Sequence, residues 1–235
     1  MILSQIILLI DNDLILRIRD IPVIYYFIGL SLILPKIPFI GKIFHIINTL
    51  MHEFGHAIMT LFLQGKVYSI EIFGDTSGST TTQSANKFTS FLIAISGYLF
   101  SSSFSWISFY ILDLGYHLYF IIGLSVLFFI MLLLWVRNRF GLIWILLFCL
   151  LNGLLIYYAE YKWIKYVALF YATIILVESI SSTLVLLYLS LFKTKESGDA
   201  YNLQRMTHIP AFIWAFGFVA FACFVGYYIF KNFIL

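Results

Sequence analysis

Apolar runs of about twenty residues recur along this chain, at 43–63, 88–112, 116–136, 140–158, 166–192 and 209–230, with short clusters of charge between them. At about 1.5 Å per residue, each is long enough as a helix to cross the hydrocarbon core of a bilayer. Residues 21–40 form a less regular candidate, broken by Pro35 and Pro38 and carrying Lys36. With 62% hydrophobic and only 11% charged residues, the chain has more apolar surface than a soluble domain can bury. The expected fold is therefore an all-α polytopic membrane protein. It is a bundle of six or seven transmembrane helices, organised as one domain over 1–235.

The other bulk properties narrow the field. A net charge of +3 without a basic cluster gives no reason to expect a nucleic-acid partner; the lipid bilayer is the partner implied. Cys149 and Cys223 lie inside apolar runs and read as packed thiols. Residues 1–20 combine a short apolar run with Asp11, Asp13, Arg17, Arg19 and Asp20, the pattern of an interfacial segment. No cleaved leader is expected, because a basic start and a small-residue cleavage site are missing. Placing the N-terminus in the cytoplasm puts Arg17, Arg19, Lys66, Lys87, Arg137, Arg139, Lys193, Lys195 and Arg205 inside. Lys36, Lys42, Lys162, Lys165 and Lys231 then lie outside, and the excess favours this orientation in a cell membrane.

Within 43–63 the only charged residue is Glu53, in His52-Glu53-Phe54-Gly55-His56. Positions i and i+4 of a helix share a face, so both imidazoles can reach one metal ion. Imidazole suits zinc, and catalytic zinc sites take three protein ligands and leave one position for water. Glu53 stands beside them as the base for a water whose pKa such an ion lowers. Random placement of this chain's histidines and glutamates would produce the motif in about two chains per thousand. The bland account, two buried histidines satisfied by hydroxyls, leaves an ionisable triplet at membrane depth without a purpose.

Two histidines do not complete a zinc site, and Glu71, Asp75, Glu178, Asp199 and His208 are candidates for the third ligand. Glu178 interrupts the apolar run 166–192, where an ionisable residue is by default functional. Counted from the cytoplasmic end, it lies roughly 21 Å deep, against roughly 16 Å for His52 and roughly 10 Å for His56. Glu178 could ligate, assist proton transfer, or sit as a neutral acid on Ser181 or Ser182. Asp199, in Gly198-Asp199-Ala200, reads locally as a surface residue or helix cap. To reach a metal, its loop must fold back into the bundle. His45 and Asn48 share the face of His52 and are expected to hydrogen-bond within the bundle.

Residues 66–87 form the one stretch with strand character. Val67, Ser69, Glu71 and Phe73 alternate with Tyr68, Ile70 and Ile72, and Gly74-Asp75-Thr76-Ser77-Gly78 supplies turn chemistry before a second strand at 79–83. A hairpin beside such a metal site could hold an extended peptide along its free edge; equally, it could be a surface hairpin. Ser96-Gly97-Tyr98 and Ser101-Ser102-Ser103 read as small residues for close helix packing.

His52-Glu53-Phe54-Gly55-His56-Ala57, then Ser96-Gly97-Tyr98-Leu99, then Gly198-Asp199-Ala200 and Thr207-His208-Ile209-Pro210-Ala211-Phe212-Ile213-Trp214 together resemble the B-type branch of the site-2 protease family. The order and spacing match across 43–216. The resemblance implies an intramembrane zinc metalloprotease acting on membrane-protein or peptide substrates. It implies His52, His56 and Asp199 as metal ligands and Glu53 as catalytic base. The chain departs from the family pattern in lacking an Asn-Pro element and an Asp-Gly pair near Asp199, and it carries no PDZ-type domain. A metal-binding membrane assembly factor without protease activity and a transporter are the alternatives; no clear inverted repeat supports the second.

Overall fold

The structure is a computed structural model that describes residues 23–37 and 40–235. The interfacial segment expected over 1–20 lies outside the described residues. Eight α-helices and one small sheet make up the described chain. In order they are α1 (Val23–Ile33), α2 (Ile40–Phe62), β1 (Lys66–Ile72), β2 (Gly78–Gln83), α3 (Lys87–Asp113), α4 (His117–Leu134), α5 (Arg139–Tyr158), α6 (Tyr161–Phe192), α7 (Gly198–Thr207) and α8 (Ala211–Ile229).

Among the described residues, α3, α4, α5, α6 and α8 are long and apolar enough to cross a membrane. Their outward faces carry Leu133, Leu147, Leu151, Phe216 and Phe224, each more than half exposed, the surface a multi-pass membrane protein offers to lipid. Helix α2 has the necessary length at 23 residues but is not among the five. Its stripe of His45, Asn48, Thr49, His52, Glu53, His56 and Thr60 makes it less apolar than its neighbours. The doubtful span at 21–40 appears as α1, only 11 residues, followed by a 3-10 turn containing Pro35. About 16 Å of helix is too short to cross a bilayer. Proline lacks the N–H that the next helical turn needs, which accounts for the stop.

Helix α6 is the centre of the bundle. Its 32 residues span about 48 Å, and it packs against α1, α3, α4 and α8. Ala168, Ala172, Ile174 and Ile175 on it are fully buried. Helices α4 and α5 attach on one side through a polar contact inside the apolar layer. Asn152 Nδ2 donates to Ser125 Oγ at 3.0 Å, and Tyr171 Oη donates to Asn152 Oδ1 at 2.9 Å. Interhelical bonds of this kind contribute roughly 0.6–2 kcal/mol in membranes. Asn152→Leu is therefore expected to destabilise the bundle by about 1 kcal/mol, read by steric-trapping unfolding, and to leave metal content untouched.

On the other side, α2 and α3 lie close together. A Cβ at Gly55 would fall 2.6 Å from Phe100 Cβ and 2.9 Å from the Ser96 carbonyl, so the approach depends on glycine. Ser96 Oγ donates across the contact to the Gly55 carbonyl at 3.0 Å. The start of α3 is fixed by Asn86, whose Oδ1 accepts from Thr89 N at 2.9 Å while Thr89 Oγ1 accepts from Asn86 N at 3.0 Å.

The hairpin expected between α2 and α3 is present, with β1 antiparallel to β2. Its alternation differs from the simple period of two. A bulge between Val67 and Ser69 adds a residue, so Val67, Ile70 and Ile72 are buried while Tyr68 points out. The outer edge of β1 is covered. Ile70 N donates to the Trp135 carbonyl at 2.8 Å, and Ile72 N donates to Asn138 Oδ1 at 3.1 Å. Among the described residues the sheet has two strands in the order β1-β2, so with β1 occupied on both sides the free edge belongs to β2.

Candidate metal centre

His52 and His56 lie on successive turns of α2, and their side chains meet Asp199 from the first turn of α7. His52 Nε2 is 3.1 Å and His56 Nε2 is 3.2 Å from Asp199 Oδ2, with 3.1 Å between the two nitrogens. Ligands about 2.0–2.1 Å from a tetrahedral zinc stand about 3.3 Å apart, so the triangle is of the right size. The protonation pattern also fits. His56 Nδ1 lies 2.7 Å from the Ile93 carbonyl of α3, which can only accept, so Nδ1 carries the hydrogen. In the neutral ring, the Nε2 lone pair then faces a second imidazole nitrogen and a carboxylate oxygen. Three such atoms so close together need a positive centre among them, a shared proton or a metal ion.

Glycine makes room for this cluster. A Cβ at Gly97 would lie 2.5 Å from His52 Cε1 and 2.6 Å from His56 Nε2. The next residue, Tyr98, stands edge-on to the His52 ring with centroids 4.4 Å apart, and its other side packs on Phe218. Ser96-Gly97-Tyr98 thus walls the site as well as packing α3 on α2, a role the small-residue pattern alone did not disclose.

Asp199 reaches the cluster because α7 docks. Ala200 and Leu203 are fully buried against residues of α3, α6 and α8. Gln204 Oε1 accepts from Ala211 N at 2.8 Å, and Trp214 Nε1 donates to Thr207 Oγ1 at 3.3 Å, tying α7 to the start of α8. Gly198, at φ +43, turns the chain into the helix. Burial works against ionisation of Asp199; when the His56 and His52 rings are protonated, their charge and hydrogen bonds outweigh it and hold the carboxyl below its usual range.

Glu53 is buried, with Oε2 accepting from Thr80 Oγ1 of β2 at 2.6 Å. A Cβ at Gly78 would sit 2.5 Å from Glu53 Oε1, so the strand touches the carboxylate only because that position is glycine. At the hairpin turn, Thr49 Oγ1 donates to the Thr76 carbonyl at 2.9 Å. The hairpin is thus fastened along α2. The Thr80 and Gly78 contacts, 27 and 25 residues from Glu53 in the chain, had no sequence signal beyond strand alternation.

The remaining candidates lie apart from the cluster, which is the one metal-competent group of three or more such residues among those described. Asp75 closes the hairpin turn, where hydrogen bonds from the Ser77 hydroxyl and backbone N–H hold its carboxyl below the ordinary range. Glu71 lies in β1 opposite Ser79. His208 ends α7 in the left-handed region at φ 62. Glu178 is deeply buried, as expected, but is paired with His45 Nδ1 rather than joined to the cluster. One cavity of about 1200 Å³ is lined by His52, Glu53, His56, Asp199, β2 and the Glu178 region.

A family model described as Peptidase M50B-like matches residues 23–228. The chain belongs to that family. No curated protein and no solved structure matches the chain. The matched range contains α2, α3 and α7, so every residue of the cluster falls inside it. Membership places this M50B-like chain among metallopeptidases of the site-2 protease type, as the resemblance implied.

Proposed function

We propose that this chain is an intramembrane zinc metalloprotease that hydrolyses peptide bonds in or near transmembrane segments of membrane proteins. The observation that carries the reading is the meeting of His52, His56 and Asp199 from two distant parts of the chain, with Glu53 lining the same cavity. His52 Nε2, His56 Nε2 and Asp199 Oδ2 are the ligand atoms. The ion supplies Lewis acidity and a lowered water pKa.

The rest is chemistry of the chain's own residues. Glu53 accepts a proton from the attacking water as its oxygen adds to the scissile carbonyl. It returns that proton to the amide nitrogen as the C–N bond breaks. Thr80 orients the carboxylate through its 2.6 Å hydrogen bond. A substrate helix hides its amides in internal hydrogen bonds and must unwind first. The free edge of β2, beside Glu53, can pair with the unwound backbone as an added strand. The 1–235 chain acts as a single membrane domain. The cluster lies toward the end of the bundle where α2 stops, α3 starts and α7 docks. With α1 too short to cross, Arg17 and Arg19 fall on the side of Lys36 and Lys42, and the Lys and Arg excess that placed this opening in the cytoplasm is lost.

The test is cleavage of a transmembrane peptide by the purified protein in liposomes, mapped by mass spectrometry. Products should vanish with a zinc chelator and return when zinc is restored. Zinc-loaded protein that cuts no membrane or juxtamembrane peptide would overturn the reading.

A further inference from the structure

Beyond the metal cluster, the cavity holds polar groups that the proposed chemistry does not use. Glu178, 2% exposed near the middle of α6, contacts His45 Nδ1 through one carboxylate oxygen. A carboxylate has two oxygens and about four acceptor positions, so one imidazole leaves capacity to spare. Asn48, one helical turn from His45 on the same face, is 5% exposed, and its Oδ1 has no hydrogen-bond partner among the described residues. A buried acceptor without a donor is costly unless something arrives to supply one. All three residues line the cavity that contains His52, Glu53 and Asp199, and so do the hydroxyl-bearing Ser181 and Ser182.

The hairpin gives this group its place relative to a bound peptide. Thr76 meets Thr49, Thr80 meets Glu53, and a Cβ at Gly65 would lie 2.5 Å from the Gln83 carbonyl. Strand β2 therefore runs in the same direction as α2 and begins at the level of Thr49. Asn48 and His45 lie at and just beyond that end. A peptide paired with β2 leaves the strand there and meets them next. Asn48 is four residues and His45 seven residues before His52, about 6 and 10 Å along the helix. An extended peptide covers those distances in about two to three residues.

We propose that His45, Asn48 and Glu178 form a specificity subsite that accepts a hydrogen-bond-donating side chain of the substrate, an amide or an amine, about two to three residues from the bond that is cut. This rests on the protease reading for its biological meaning, but the binding preference stands on its own. The acceptors are a carboxylate and an amide oxygen. An acidic side chain is therefore rejected, and an aliphatic one leaves Asn48 unsatisfied.

The test uses the full-length Glu53→Gln protein in nanodiscs and a transmembrane peptide carrying one glutamine moved along it position by position. Lysine, aspartate and leucine are compared at the best position. Affinity should peak at one position, with the glutamine and lysine peptides binding about tenfold tighter than leucine and aspartate weaker than leucine. In Asn48→Leu and Glu178→Leu versions that preference should collapse to about one, while the leucine peptide keeps its Kd. A flat positional scan would overturn the subsite. So would equal loss of affinity for glutamine and leucine peptides, which marks general damage to the bundle. Cleavage by the wild-type protein is read separately. If it cuts no peptide, the protease reading fails while the binding preference is still measured; if it cuts, the mapped bond should lie about two to three residues from the peak.

Discussion

Glu53→Gln protein is expected to hold as much zinc as wild type and to cleave transmembrane peptides about 10²–10⁴-fold more slowly. Glutamine keeps the shape of the side chain and an oxygen that can accept from Thr80, so the 2.6 Å tie between α2 and β2 survives. What it loses is the capacity to take a proton from water at neutral pH. Glu53 is not one of the three clustered ligand atoms, so metal affinity has no reason to fall. Metal analysis and single-turnover cleavage on the same preparation check both halves. A normal rate would remove Glu53 as the base, and lost zinc would make it part of the metal site.

The second large effect comes from a residue with no side chain. Gly97→Ala places a methyl group within 2.5–2.7 Å of the His52 and His56 rings, closer than real Cβ atoms come. Both imidazoles must move, and they carry two of the three proposed ligand atoms. Zinc affinity is expected to fall about 10–100-fold, the range seen when a metal ligand loses its orienting neighbour. Gly123→Ala is the matched control, since a Cβ there meets nothing within 4 Å. Competition with a chromophoric chelator reads both variants. If Gly97→Ala bound zinc as tightly as Gly123→Ala, the two rings would not be held where they stand.

The helices were legible because lipid imposes long apolar runs, and each of the five apolar spans lies within a few residues of its run. His52, Glu53 and His56 were legible because i, i+4 spacing is a local rule of helix geometry. Asp199 was different. Hydropathy alone made it a surface residue, and only the family resemblance pointed to it. What brings it to His56 is the burial of Ala200 and Leu203 against three other helices, a tertiary fact with no local signature. The same limit applied to Glu178. Its burial was readable from the apolar run, yet its pairing with His45 depends on how α2 and α6 lie together. The bulge at Val67 was hidden as well, because one inserted residue reverses the alternation from which faces are read.

Zinc content and affinity of the wild-type, His56→Ala, Asp199→Ala and Glu178→Gln proteins, each checked for folding, test the central claim most directly. About one zinc per chain is expected in the wild-type and Glu178→Gln proteins, with binding lost or weakened at least tenfold in the other two. Equal zinc in all four, or zinc retained by Asp199→Ala and lost by Glu178→Gln, would contradict the account.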